Sequence, residues 1–150
     1  AVGVELAVRD HDVSYDIGAH DNEALSAEFF VRHAQGELSE ELIATVQQLI
    51  MVTMHLCNEP KTADEAYLVD IDLSSFGLPW ERFQRDSIAV REEFPQIPDV
   101  EFYPKQMHFL GELLRRENFC FTDFFRLRHE RQARENITAY LQNLQAQGLL

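Results

Sequence analysis

Residues 39–53 read SEELIATVQQLIMVT and carry the clearest helical pattern in the chain. Ser39 is a preferred N-cap residue, and Glu40 and Glu41 follow it in the first turn, where acidic side chains interact favourably with the helix dipole. The apolar residues recur at three- and four-residue steps: Leu42, Ile43, Val46, Leu49, Ile50 and Thr53. This spacing predicts an amphipathic α-helix that buries one face.

The same spacing continues on both sides of this helix, and no stretch of the sequence alternates as a half-buried strand would. Predicted helices cover about 4–16, 22–36, 40–53, 62–77, 79–94, 102–114 and 123–147. At 150 residues and 17.4 kDa, the chain has the usual length of one domain. We therefore expect an all-α, single-domain bundle of about six to seven helices that spans residues 1–150.

Several helix ends are marked by capping residues. Asp21 precedes the second helix as a predicted N-cap, and Gly36 follows it at a position suited to a left-handed C-terminal cap. Thr62 and Glu65 have the spacing of a capping box at the start of the fourth helix. Gly18 belongs to the predicted turn after the first helix, because glycine favours turns.

Composition and charge exclude several classes of partner. Thirteen Lys and Arg residues against 26 Asp and Glu give a net charge of −13, so the protein repels polyanions. Nucleic acids and anionic membrane surfaces are therefore not expected as partners. The longest stretch without a charged residue, 42–58, is shorter than the ~20 apolar residues that span a bilayer.

Two cysteines, Cys57 and Cys120, lack the spacing of a redox or zinc motif. Two cysteines are also too few for a disulfide scaffold, so reduced thiols are the expected state. The chain opens with no basic segment followed by an apolar one, so nothing indicates export. We expect a cytoplasmic protein.

Polar residues that interrupt the apolar faces are the candidates for chemistry, because helical bundles place their sites between facing helices. His11, Asp12 and Asp16 lie in the first predicted helix, His55 lies in the third, and Asp70 and Asp72 lie in the fourth. Imidazole and carboxylate groups are ligands for divalent metals when they converge from different elements. We expect the metal ligands among His11, Asp12, Asp70 and Asp72.

Asp70 and Asp72 are not expected to bind one ion together. They differ by about 200° around a helix, so their side chains leave on nearly opposite sides. Both lie at similar angles from the apolar face of that helix, so periodicity does not choose between them. Both stay candidates.

Other charged residues have a structural explanation. Glu130 and Arg134 have the spacing of an ordinary surface ion pair, worth tenths of a kcal/mol. Asp16, four residues after Asp12, is predicted on the same face of the first helix or as its terminator. His20, His33, His108 and His129 lack partners at ligand spacing and are expected to be structural or surface residues.

A set of short motifs follows one another along most of the chain. They are His11-Asp12, Tyr15-Asp16, Asp21-Asn22-Glu23, Ser26-Ala27-Glu28, Thr53 with His55, the run from Leu68 to Ser74 leading to Gly77, and Glu130, Ala133-Arg134 and Asn136. In this order and spacing they resemble the predicted metal-dependent phosphohydrolases of the HD superfamily. The resemblance is to the small all-helical bacterial group.

The resemblance implies a divalent metal ion held by a histidine, a His-Asp pair and a distal aspartate, and used to hydrolyse a phosphate ester. His11 and Asp12 match the pair, and Asp70 or Asp72 matches the distal aspartate. The first histidine of the pattern normally lies on a helix upstream of the pair. The chain begins too late to contain that helix, so we expect an N-terminally truncated HD-like domain.

The implied chemistry suits these residues. A bound cation polarises a phosphoryl oxygen and lowers the pKa of water, and Asp12 is a candidate to orient or deprotonate that water. His55 either extends the coordination sphere or binds a phosphate oxygen, or it is a structural histidine. Arg9 is the nearest cation in sequence for the substrate's charge, and Arg134 is a more distant candidate.

The expected function is thus a metal-dependent phosphohydrolase that acts on a small phosphorylated metabolite or nucleotide with Mn, Fe, Zn, Ni or Mg. The alternative is a catalytically silent HD-like helical protein with a regulatory or ligand-binding role. Neither the substrate nor the oligomeric state follows from the sequence, and a homodimer is one arrangement it leaves open.

Overall fold

The computed structural model describes residues 2–16 and 19–150 and confirms the all-α class, with seven helices in these ranges. They are α1 (Val2–Asp10), α2 (Asn22–Ala34), α3 (Glu40–Val52), α4 (Ala63–Leu73), α5 (Trp80–Glu93), α6 (Asp99–Arg115) and α7. Helix α7 joins Asp123–Phe125 to Arg131–Ala146 through a π-helical turn, Arg126–Glu130, and a 3-10 turn, Ser74–Gly77, follows α4. None of the helices in these ranges is both long and apolar enough to cross a membrane.

The chain divides into two compact units, Ala1–Asp72 and Leu73–Leu150. In the first unit, α3 packs against α1 and α2. Its predicted buried face is confirmed at Ile43, Val46, Leu49, Ile50 and Thr53. The single-domain organisation stays a prediction.

The predicted helix caps have different outcomes. The Ser39 side chain accepts a hydrogen bond from the Leu42 amide, which confirms the N-cap of α3. Gly36 has φ +85°, the left-handed conformation that glycine adopts without a Cβ clash. Asp21 is the N-cap residue of α2, as predicted, but its side chain makes no capping hydrogen bond. Gly18 lies outside the described residues.

The capping box at the start of α4 also fixes this helix against α3. Glu65 accepts from the Thr62 amide at 3.0 Å, and Thr62 Oγ1 accepts from the Glu65 amide at 3.2 Å. The same carboxylate accepts from the Lys61 amide and, through its second oxygen, from Gln48 Nε2 of α3, both at 2.6 Å. One buried glutamate therefore caps α4 and holds it to its neighbour.

Helix α1 ends at Asp10, six residues before the predicted end. Asp12 and Asp16 therefore do not share a helix face, and the prediction that they do is wrong. The physical reason is that side chains of α2 bind the backbone of Ser14 and Asp16. Those contacts replace the hydrogen bonds that would have continued α1.

In the second unit, the 3-10 turn lies against α7. Asn136 is 2% exposed, and its side-chain amide donates to the carbonyls of Phe76 and Leu78, both at 2.8 Å. A Cβ on Gly77 would lie 2.6 Å from the backbone oxygen of His129. Only glycine fits this close approach without displacing the backbone.

Candidate metal centre

Three predicted ligands meet in the first unit. His11 and Asp12 follow directly after α1, and Asp72 lies in the last turn of α4. His11 Nε2 is 3.2 Å from Asp12 Oδ2 and 3.3 Å from Asp72 Oδ1, and one ligand atom from each residue lies within 4.8 Å of the others. The structure thus brings together residues separated by 61 positions in the sequence.

The His11 ring is held by the helix that precedes it. Its Nδ1 lies 3.0 Å from the carbonyl oxygen of Val8. A carbonyl only accepts, so Nδ1 carries the hydrogen and donates it, which leaves Nε2 facing Asp12 and Asp72. A metal-binding histidine is commonly oriented in this way, with one nitrogen on a backbone carbonyl and the other toward the ion.

His55 contacts the other side of the Asp72 carboxylate. Its Nε2 lies 2.7 Å from Asp72 Oδ2, and its side chain is 9% exposed. An ionised carboxylate only accepts, so His55 donates this hydrogen bond. Asp72 is therefore bridged between two imidazoles, with Oδ1 toward His11 and Oδ2 toward His55.

The electrostatics of this group are strongly perturbed. Burial lowers the pKa of His11, but hydrogen bonds and charge attraction from Asp12 and Asp72 outweigh burial and raise that pKa to about 10. Burial raises the pKa of Asp72, but hydrogen bonds from His11 and His55 and their charge attraction hold it well below its usual range. In the metal-free protein, a proton on His11 thus occupies the position between two carboxylates.

The geometry of these residues fits a divalent cation. With ligand bonds of about 2.1 Å, neighbouring ligand atoms lie about 3.0 Å apart in an octahedral site and about 3.4 Å apart in a tetrahedral one. The two separations that involve His11 Nε2, 3.2 and 3.3 Å, lie between these values. One imidazole with two carboxylates also suits Mn, Fe, Zn, Ni or Mg.

The side chains of Asn22 and Ser26 form a clamp that holds the segment after the His-Asp pair. Ser26 Oγ accepts from the Ser14 amide at 3.0 Å and donates to the Ser14 carbonyl at 3.3 Å. Asn22 accepts from the Asp16 amide and donates to the Asp16 carbonyl, both at 2.9 Å. Both residues belong to motifs of the sequence, but this role was not predicted for them. Their four-residue spacing on one helix face was the available signal.

The remaining aspartate candidate lies elsewhere. Asp70 is completely buried in α4 and does not belong to the group formed by His11, Asp12 and Asp72. Asp12 is the most exposed member of that group, with 59% of its side chain accessible, against 23% for Asp72 and 13% for His11. The centre is therefore open to solvent on the Asp12 side.

In the second unit, Glu130 and Arg134 form more than a surface ion pair, which corrects the sequence interpretation. Glu130 is 15% exposed and accepts from the Cys120 amide as well as from Arg134. Arg134 also donates to the carbonyls of Leu114 and Arg116. Burial raises the pKa of Glu130, but these hydrogen bonds outweigh it and lower that pKa. Both side chains thus tie the chain segments of this unit together.

Charge is distributed unevenly between the two units. Fifteen of the 26 Asp and Glu residues, but only three of the 13 Lys and Arg residues, lie in Ala1–Asp72. Those three cations are Arg9, Arg32 and Lys61. The unit that contains the candidate centre therefore attracts cations and repels multiply charged anions.

No family model, curated protein or solved structure matches this chain. The resemblance to HD superfamily phosphohydrolases therefore stays a prediction that depends on the motifs of the sequence.

Proposed function

We propose that this chain is a metal-dependent phosphohydrolase of HD type, in which His11, Asp12 and Asp72 bind one divalent cation. The observation that carries the proposal is that one imidazole and two carboxylates meet with a ligand atom from each within 4.8 Å of the others. The orientation of the His11 ring by the Val8 carbonyl supports it, because Nε2 then faces both carboxylates.

When bound, the cation supplies Lewis acidity, which polarises a phosphoryl oxygen and makes a bound water more acidic. The protein residues have separate roles around it. Asp12 combines a ligand oxygen near His11 with a largely exposed carboxylate, so it is our candidate to orient the attacking water and accept its proton. Asp72 is more buried and serves as a ligand only.

We assign His55 to holding Asp72. Its 2.7 Å hydrogen bond fixes Oδ2 of Asp72, which keeps Oδ1 turned toward His11. Such a neighbour controls the direction and basicity of the ligand without touching the metal. The sequence left His55 open as a further ligand, a phosphate-binding group or a structural residue. The hydrogen bond to Asp72 favours the holding role.

The proposed substrate is a small phosphorylated metabolite or nucleotide in the cytoplasm. Only three Lys and Arg residues lie in the unit that holds the centre, so a substrate with few negative charges meets the least repulsion there. Nucleic acids and anionic membranes carry many charges and are not proposed as partners. Asp70 is not part of the proposed ligand set, because it lies outside the group around His11.

The experiment has two stages. Metal content is measured on protein purified without chelator, and phosphate release is then measured from a panel of phosphorylated metabolites with each of the five candidate metals. His11→Ala and Asp72→Asn should abolish both metal binding and hydrolysis. Asp64→Asn, an equal change at an exposed residue of the same helix, should preserve both.

Two results would contradict the proposal in different ways. A wild-type protein that binds none of the metals would exclude the metal centre itself. Metal binding that depends on His11 and Asp72 but supports no hydrolysis would favour the alternative, a catalytically silent HD-like protein with a regulatory or ligand-binding role.

A further inference from the structure

We infer that the clamp formed by Asn22 and Ser26 positions Asp12 at the metal centre. This inference rests on the proposed function. It assigns a role in metal binding to two residues of α2 that belong to no ligand set, and it explains how an exposed carboxylate is kept beside His11.

The Asp12 side chain is 59% exposed and contacts His11 Nε2 at 3.2 Å. The backbone on either side of Asp12 has further anchors. On the N-terminal side, the His11 amide donates to the Ala7 carbonyl at 2.9 Å, so α1 fixes His11. On the C-terminal side, the nearest side-chain anchor is Ser26, which binds both backbone polar groups of Ser14.

The spacing of Asn22 and Ser26 along α2 matches the spacing of the two backbone positions that they bind. Asn22 and Ser26 are one helical turn apart, which is about 6 Å along α2. Ser14 and Asp16 are two residues apart in a non-helical segment, which spans at most about 7 Å. Ser26 can therefore bind Ser14 while Asn22 binds Asp16. Each side chain donates one hydrogen bond and accepts one.

Both side chains of the clamp are buried. Ser26 is completely buried and Asn22 is 8% exposed, so water does not easily replace their four hydrogen bonds. Without the clamp, the backbone after Asp12 would lose these partners, and the carboxylate would sample more positions relative to His11. Metal affinity would fall because one ligand is no longer held in place. Groups that orient metal ligands typically contribute about 10- to 100-fold in affinity.

The test compares Mn²⁺ affinity across variants, with free Mn²⁺ counted by electron paramagnetic resonance. Ser26→Ala removes the hydroxyl with little change in volume and should weaken Mn²⁺ binding by about 10- to 100-fold. Asn22→Ala removes the two side-chain hydrogen bonds to the Asp16 backbone and should also weaken Mn²⁺ binding.

The control and the double variant separate positioning from general loosening. Ser87→Ala removes a comparable serine hydrogen bond, to the Phe83 carbonyl in α5, and should leave Mn²⁺ affinity unchanged. In an Asp12→Asn background, Ser26→Ala should cause no further loss, because the clamp acts through Asp12. A full additional loss in that background would overturn the inference.

Amide hydrogen exchange on the metal-free protein gives a readout that does not depend on metal. The Ser14 amide should exchange faster in Ser26→Ala, while the His11 amide, which is bonded within α1, should not change. Unchanged exchange at Ser14, or unchanged Mn²⁺ affinity with wild-type binding intact, overturns the inference alone. If another of the five candidate metals binds more tightly than Mn²⁺, the comparison uses that metal, and a wild-type protein that binds none of the five overturns the proposed function and this inference with it.

Discussion

Metal binding at the candidate centre should release close to one proton at neutral pH. In the metal-free protein, the raised pKa of His11, about 10, keeps its ring protonated between Asp12 and Asp72. A metal ion needs the lone pair of Nε2, so binding must displace that proton. The pKa of Asp72 lies well below its usual range, so this carboxylate is already ionised and releases nothing.

The pKa of His11 sets the number of protons that metal binding releases. At pH 7, about three units below it, His11 is almost fully protonated, and an ordinary histidine with a pKa of about 6.5 would carry only about a quarter of a proton. The apparent metal affinity should therefore rise about tenfold per pH unit from pH 6 to 8. The affinity rises with pH because higher pH removes the proton that competes with the metal for Nε2 of His11.

Isothermal titration calorimetry with Mn²⁺ in two buffers of different ionisation enthalpy measures the number of protons released. The slope of the observed enthalpy against the buffer enthalpy should correspond to about one proton. His33→Ala, which changes an exposed histidine of α2, should leave this number unaltered. A release near a quarter of a proton, with an affinity that hardly changes above pH 7, would refute the reasoning about His11.

Three further outcomes test other parts of the structure. His55→Ala should weaken Mn²⁺ binding by about 10- to 100-fold, because it frees the second oxygen of the bridging aspartate. Glu65→Gln should lower the free energy of unfolding at pH 7, measured by urea denaturation, by about 1 kcal/mol. The variant should also lose less stability than the wild type between pH 5 and pH 3. Burial raises the pKa of Glu65, but the hydrogen bonds to its carboxylate outweigh burial and lower that pKa. The carboxylate therefore stabilises the fold above about pH 4.5, and this stabilisation is lost on acidification. Asn136→Ala should cost about 2 kcal/mol in the same assay, because two carbonyls of the 3-10 turn region lose their donor.

The variants at Glu65 and Asn136 have matched controls. Glu40→Gln changes an exposed glutamate in the first turn of α3 and should preserve the wild-type loss of stability between pH 5 and 3. Asn143→Ala, at an exposed position of α7, should change stability by less than about 0.5 kcal/mol. Equal effects at Asn136 and Asn143 would contradict the role of the buried amide. A His55→Ala protein with wild-type Mn²⁺ affinity would contradict the holding role.

The parts of the fold that were predictable depend on local sequence. The apolar spacing and the N-cap of α3, the left-handed Gly36 and the Thr62–Glu65 capping box are all set by residues within one or two turns. The end of α1 was not predictable in this way. Side chains of α2 bind the backbone where the last turns of α1 were predicted, and these hydrogen bonds replace the helical ones. Contacts between residues that are distant in sequence leave no local pattern.

The candidate centre was predictable as a set of residue types but not as an arrangement. A His-Asp pair in the sequence indicates ligand chemistry, and Asp72 of α4 is one of the two aspartates that the sequence offered as its partner. The bridging of Asp72 by two imidazoles depends on how α3 and α4 are held together. That contact is made by Glu65 with Gln48, and the sequence showed only the capping half of the glutamate's role.

The placement of Asp72 rather than Asp70 beside His11 has a geometric cause in α4. Seven residues make nearly two full turns, so Asp72 lies within about 20° of Glu65 around the helix. Because the Glu65 carboxylate reaches Gln48 of α3, the stripe that contains Asp72 faces the same neighbour, where His55 follows α3. Asp70 lies about 160° away from Asp72 by the shorter way around the helix, so no rotation of α4 brings both aspartates to His11.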